Sequence, residues 1–138
     1  MSQYDQLVRL RDWELDEKRR ELAEVQAAVD ALIQKREALE EEIQSEKDIA
    51  STSYEALVSY NAFANSVILR REQINAEIEE RREAAGAANE KMLIAFQELS
   101  KAEIVRDELD AQERLKEARR EQTDLNEIAQ TLHRRKRR

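Results

Sequence analysis

The sequence predicts an all-α protein: an antiparallel two-helix coiled-coil hairpin in which the second helix is longer. Three observations predict it. The 138 residues contain no Pro and a single Gly, Gly86, so helix breakers are nearly absent. Asp, Glu, Lys and Arg occupy 40% of positions, too many for a wide globular core. Apolar residues recur in alternating steps of four and three, the period of paired helices, and not at the period of two that marks a strand. The same spacing argues against disorder, which a mean hydropathy of −0.86 would otherwise favour.

Helix one is predicted over about 3–48. Its seam runs from Tyr4 and Val8 through Arg11, Leu15, Lys18, Leu22, Val25, Val29, Leu32, Arg36, Leu39 and Ile43 to Glu46 and Ala50. This is a heptad with a positions at 8, 15, 22, 29, 36 and 43. The turn is placed at about 49–53, where Ser51-Thr52-Ser53 is the only Ser/Thr cluster. Thr52 followed by Glu55 matches a capping box for the next helix.

Helix two is predicted over about 54–132, with a basic tail at 133–138, the whole forming one coiled-coil domain over 1–138. Its seam passes through Tyr60, Ala64, Val67, Arg71, Ile74, Ile78 and Arg81. It continues through Ala85, Ala88, Met92, Ala95, Leu99, Ala102, Arg106 and Leu109 to Glu113. Gly86 lies inside this run without a phase shift, so the helix is expected to continue through it. The Ala-rich stretch around it would permit close approach or a slight bend. A turn at Gly86, giving three helices, is the competing arrangement. Pairs such as Glu14–Lys18, Asp16–Arg20, Glu77–Arg81 and Asp110–Arg114 would add i,i+4 support of ~0.2–0.5 kcal/mol each. A short turn near residue 51 makes the helices antiparallel, with facing residue numbers totalling about 102. Helix two then overhangs helix one from about Ala102, and a lone helix of this charge density is marginal in water.

Composition excludes several function classes. There is no Cys, so disulfides and thiolate metal sites are out, and one His, His133, rules out paired-His ligand spacing. One Gly cannot build a phosphate loop. Acidic runs such as Glu40-Glu41-Glu42 and Glu79-Glu80 read as solvated faces, because a helix in water offers no desolvated pocket. No catalytic residue, cofactor site or metal site is therefore expected, and the chain is not expected to be an enzyme. The N-terminal stretch has no apolar h-region, and no window reaches the ~20 apolar residues of a membrane span. The net charge is −7; without the five basic residues Arg134–Arg138, 19 basic face 31 acidic residues. The body should repel nucleic acid. The tail reads as a helix end that complements the dipole, a docking point for an acidic protein, or an anion binder.

Apolar residues that miss the seam are the candidates for partner binding. In the first frame Leu7, Leu10 and Trp13 take positions g, c and f; in the second, Leu93, Ile94 and Phe96 take b, c and e. With a facing total of 102, residue 10 lies opposite 92, which sets all six at one end. Exposing them forgoes burial worth ~25 cal/mol per Å², and such clusters mark partner sites. A local frame shift that turns them inward is the competing explanation. Tyr54, Tyr60 and Phe63 form a second group near the turn. Tyr60 is expected to pack in the seam with Phe63 covering it, while Leu69 faces outward.

The stretch from Leu7 through Trp13 to Leu22 (LVRLRDWELDEKRREL) resembles the start of the bacterial flagellar export family FliJ. Tyr60 to Glu72 (YNAFANSVILRRE) is similar to the middle of that family, and the charged stretch from Glu113 to Glu127 is similar in character to its end. The resemblance spans nearly the whole chain. It implies an antiparallel two-helix coiled coil like the central stalk of rotary ATPases. It also implies a non-catalytic component of the flagellar type III export apparatus, cytoplasmic and peripherally associated with the inner-membrane machinery. The implied partners are the export ATPase hexamer, its regulator, the export gate and export chaperones, with no nucleic acid. By the stalk analogy, Leu7, Leu10, Arg11, Trp13 and the tail arginines Arg134 and Arg135 are candidates for ATPase contact, and Leu93, Ile94 and Phe96 extend the candidate surface. The rival readings are a structural coiled-coil homodimer or scaffold in which the overhang pairs tightly with another copy, and a basic-tail binder of nucleic acid or membrane surface; weak self-association is a further partner expectation.

Overall fold

A computed structural model describes residues 3–137. These form two α-helices, α1 (Gln3–Ala50) and α2 (Tyr54–Arg137), of 48 and 84 residues, joined by three residues. The expected helical hairpin with the longer second helix is what the chain forms. Among the described residues there is no strand, no cis peptide bond and no positive φ.

The join uses its hydroxyls differently from the expected capping box. The Thr52 hydroxyl donates to the Ile49 carbonyl at 2.6 Å, and the Ser51 hydroxyl donates to the Asp48 carbonyl at 2.7 Å. Both therefore satisfy carbonyls left over at the end of α1. The cap of α2 is Ser53: its hydroxyl accepts from the Ala56 N–H at 3.1 Å, and its carbonyl accepts the first helical bond from Leu57 at 3.1 Å. Thr52 does not cap α2: its hydroxyl and its N–H both donate back to the Ile49 carbonyl, at 2.6 and 3.0 Å.

The chain divides into two compact units: residues 14–95, and residues 1–13 with 96–138. In the first, Leu39, Ile43 and Val67 form a buried cluster with Phe63 and Ile74 packed against it. Leu15 and Ile78 are the most enclosed side chains, at 2% and 1% exposure. The seam of α1 in this unit is buried or half-buried at every predicted position from Leu15 to Ala50; that of α2 likewise from Tyr60 to Ala95, except Arg81. Two arginines on the seam turn outward and bridge the helices: Arg71 pairs with Glu40 at 2.9 Å, and Arg36 donates to the Asn75 side-chain oxygen at 3.2 Å. Arg70 and Glu42 approach to 3.9 Å. Two of the Glu40–Glu42 carboxylates thus face arginines as well as water.

Facing numbers total 111 at the Arg36–Asn75 and Glu40–Arg71 pairs, not 102. The cause lies at the start of α2. Residues 54–59 are exposed apart from Ala56, so the seam engages only at Tyr60. Register follows the side chains that dock and not the midpoint of the turn.

Gly86 sits in unbroken α-helix, and a Cβ built on it meets nothing within 4 Å. The three-helix alternative does not occur, and the glycine does not serve a close approach. At the expected Asp16–Arg20 pair the spacing is three instead of four: Asp16 meets Arg19, and Arg20 meets Glu17.

In the second unit, Leu99 and Ala102 are buried and Arg106, Leu109 and Asp110 half-buried. Gln3 and Tyr4 share an open groove with Arg106, Leu109, Asp110 and Glu113. Pairing therefore continues beyond Ala102, as the higher register requires. From Ala111 to Arg137 every residue is exposed, including Glu113, which the heptad had assigned to the seam. Helix α2 runs through Arg134, Arg135, Lys136 and Arg137, where four cations complement the carbonyl end of the dipole; the tail is the last helical turn. Arg138 lies outside the described residues.

Candidate interaction surfaces

The candidate residues fall in both units. In the unit of residues 1–13 and 96–138, Leu10 is 49% exposed, Trp13 60% and Phe96 51%. Leu7 and Arg11 are half-buried. Leu7 and Leu10 line one open surface with Gln3, Tyr4 and Gln6. Arg134 and Arg135 are exposed at the end of α2, and Arg135 shares a shallow face with Ile128 and Leu132. In the unit of residues 14–95, Leu93 and Ile94 are 49% and 58% exposed. The off-seam residues Leu10, Trp13, Leu93, Ile94 and Phe96 thus stand in water, and no local frame shift turns them inward. The facing total of 102 that grouped them does not hold, so the grouping of position 10 with position 92 loses its basis.

Near the turn, Tyr60 and Phe63 pack with ring centroids 6.3 Å apart and planes tilted by 46°. They border the buried Ile43–Val67 contact together with Ala64 and Ile68. Tyr54 takes no part in this packing and is 80% exposed. Leu69 faces outward as expected.

Two surfaces escaped the heptad reading. Ile49, Leu57 and Val58 are exposed beside Tyr54. Their signal was a local loss of charge, because Glu55 is the only charged residue from Ile49 to Leu69. The other is the distal part of α2, where Leu115, Leu125, Ile128 and Leu132 are exposed. They keep helical spacing but on a face other than the seam, so a count of seam positions passes over them.

Among the described residues no three His, Asp or Glu side chains gather to hold a metal, no polar or charged residue is buried, and the grooves are open to solvent. No helix is long and apolar enough to cross a membrane. What the surface offers is apolar contact interleaved with charge along helices, the chemistry of protein docking.

Comparison with known proteins finds no match among curated proteins and none among solved structures. A family model does match: that of the flagellar FliJ protein, over residues 1–138. The whole chain is covered, and the helical hairpin is the architecture the resemblance at Leu7–Leu22 and Tyr60–Glu72 implied. The chain therefore belongs to the FliJ family and is a component of flagellar protein export.

Proposed function

We propose that this chain is a non-catalytic stalk or adaptor that acts on the flagellar export ATPase ring and so promotes export. Its further contacts are the regulator of that ATPase, the export gate and export chaperones. It works in the cytoplasm, held at the membrane-embedded machinery through protein partners. The observation that carries this reading is the family match over all 138 residues, on a chain whose described surface exposes apolar side chains among charges along both helices. A helix pair transmits contact along its length because its backbone hydrogen bonds are internal and its seam is dry. Leu10 and Trp13, exposed near the start of α1, are the side chains chosen for the ATPase contact, with Leu7, Arg11, Arg134 and Arg135 around them. An aromatic residue and an arginine are the types that most often dominate such interfaces.

The test is the rate of ATP hydrolysis and the extent of ring assembly by a purified flagellar export ATPase, with and without this chain. The full chain should raise both, and Trp13→Ala or Leu10→Ala should remove most of the gain while leaving helicity intact. If the full chain leaves both unchanged, the reading fails. If only the variants match the full chain, the ATPase contact lies elsewhere on the surface.

A further inference from the structure

Past Asp110 the seam phase of α2 runs on through Glu113, Lys116, Arg120, Thr123, Glu127 and Gln130, all of them polar and exposed. A second apolar stripe starts on another face: Leu115, Ala118, Leu125, Ala129 and Leu132, with Ile128 beside it. In the α2 heptad these are c and f positions, turned away from the seam. Leu115, Leu125, Ile128 and Leu132 are 52–60% exposed. A stripe that continued the seam would be an extension of the hairpin. A stripe on the opposite face has no use for α1 and calls for a different helix.

The charges around it indicate which helix. Glu121, Asp124 and Glu127 form an acidic block, Leu125, Ile128 and Leu132 follow, and Arg135 and Lys136 border the far end of the stripe as a basic block, with Arg134 and Arg137 in the seam phase. The order acidic, apolar, basic complements itself when reversed. A parallel copy would set acid on acid and base on base, which is unfavourable.

We propose that residues 121–137 of α2 pair antiparallel with the same residues of a second copy of this chain. Centred near Gln130, the pair sets Ile128 of each copy against Leu132 of the other and lays each acidic block along the other's basic block. The contact is isologous and closes as a dimer. It is also small and rim-exposed, so the association is weak, and salt weakens it further. It does not depend on any action on the ATPase, and ATP hydrolysis is not its readout.

The experiment is sedimentation equilibrium of the full chain over a concentration series at low and high salt. The wild type should pass from monomer to dimer with concentration, more readily at low salt. Glu121→Arg with Asp124→Arg should weaken the dimer by at least about tenfold, and so should Arg135→Glu with Lys136→Glu. An equimolar mixture of the two double variants should associate again, because the charges bordering the stripe are then predominantly basic in one and acidic in the other. All four positions are exposed, and circular dichroism verifies that the variants keep their helices. A wild type that stays monomeric throughout overturns the proposal. So do double variants that dimerise like wild type, or a mixture no tighter than its components.

Discussion

Residues 14–95 and residues 111–137 are built from similar helix-forming residues, yet one stretch buries the apolar side chains of its seam and the other exposes every apolar side chain it has. In the first, Ile78 retains 1% of its exposure; in the second, Leu125 retains 60%. Both are branched aliphatic residues in the interior of the same helix. The difference lies in whether another helix presents side chains to that face. In 14–95 both helices carry in-phase seams, and the a and d residues, Arg81 apart, are buried or half-buried. In 111–137 the helix is long but its apolar stripe has changed face. Helix formation and apolar burial are thus separable here. Neighbouring i,i+3 pairs and helix propensity sustain the backbone, whereas burial requires a partner in register.

The largest test of this contrast is truncation at matched positions. Ile78→Ala should lower stability by about 2–4 kcal/mol in urea unfolding followed by circular dichroism, while Leu125→Ala in dilute solution should stay within about 0.5 kcal/mol. Equal costs would mean that the distal stripe is buried after all. The turn supplies the next effect. Ser53→Ala should cost about 1 kcal/mol through loss of the α2 cap, and Thr52→Ala distinctly less, because Thr52 serves only a carbonyl at the end of α1. The reverse order would restore the capping-box assignment. Gly86→Ala should raise stability by about 0.5–1 kcal/mol, since the added methyl meets open space in a helical backbone; a loss there would point to a contact the glycine protects. The smallest change belongs to Arg71→Met. Arg71 bonds Glu40 with both side chains about half in water, at 41% and 52% exposure, and its Nε is buried without a partner. Removing a screened pair while adding an apolar side chain to the seam should leave stability within about 0.5 kcal/mol of wild type. A loss above 1 kcal/mol would make that bridge an essential part of the pairing.

Much of this architecture was legible in the spacing of apolar residues. The seam from Val8 to Ala50 and that from Tyr60 to Leu109 are buried or half-buried at every predicted position save Arg81. A heptad reports which residues share a face, and sharing a face is a local property of the helix. The candidate residues Leu10, Trp13, Leu93, Ile94 and Phe96 were legible for the same reason: positions b, c, e and f point away from a two-helix seam, and all five are exposed. Register was not legible. It depends on how far α2 runs before it first docks, and nothing local in residues 51–59 encodes that distance. The choice between Thr52 and Ser53 as the cap was equally hidden. Two adjacent hydroxyls have the same chemistry, and only the backbone path at the turn decides which one reaches the Ala56 N–H.

The order of residues by itself determined that the chain is helical, that it folds back once near residue 52, and that each helix has one apolar face. These follow from propensity, from the scarcity of Gly and Pro, and from the 3.6-residue period, all of which act over a few residues. Only the tertiary structure decided that facing numbers total 111, that pairing persists to Asp110, and that the last 27 helical residues stand in water. Those depend on contacts between residues dozens of positions apart, and such contacts are selected by mutual packing and not by any local preference.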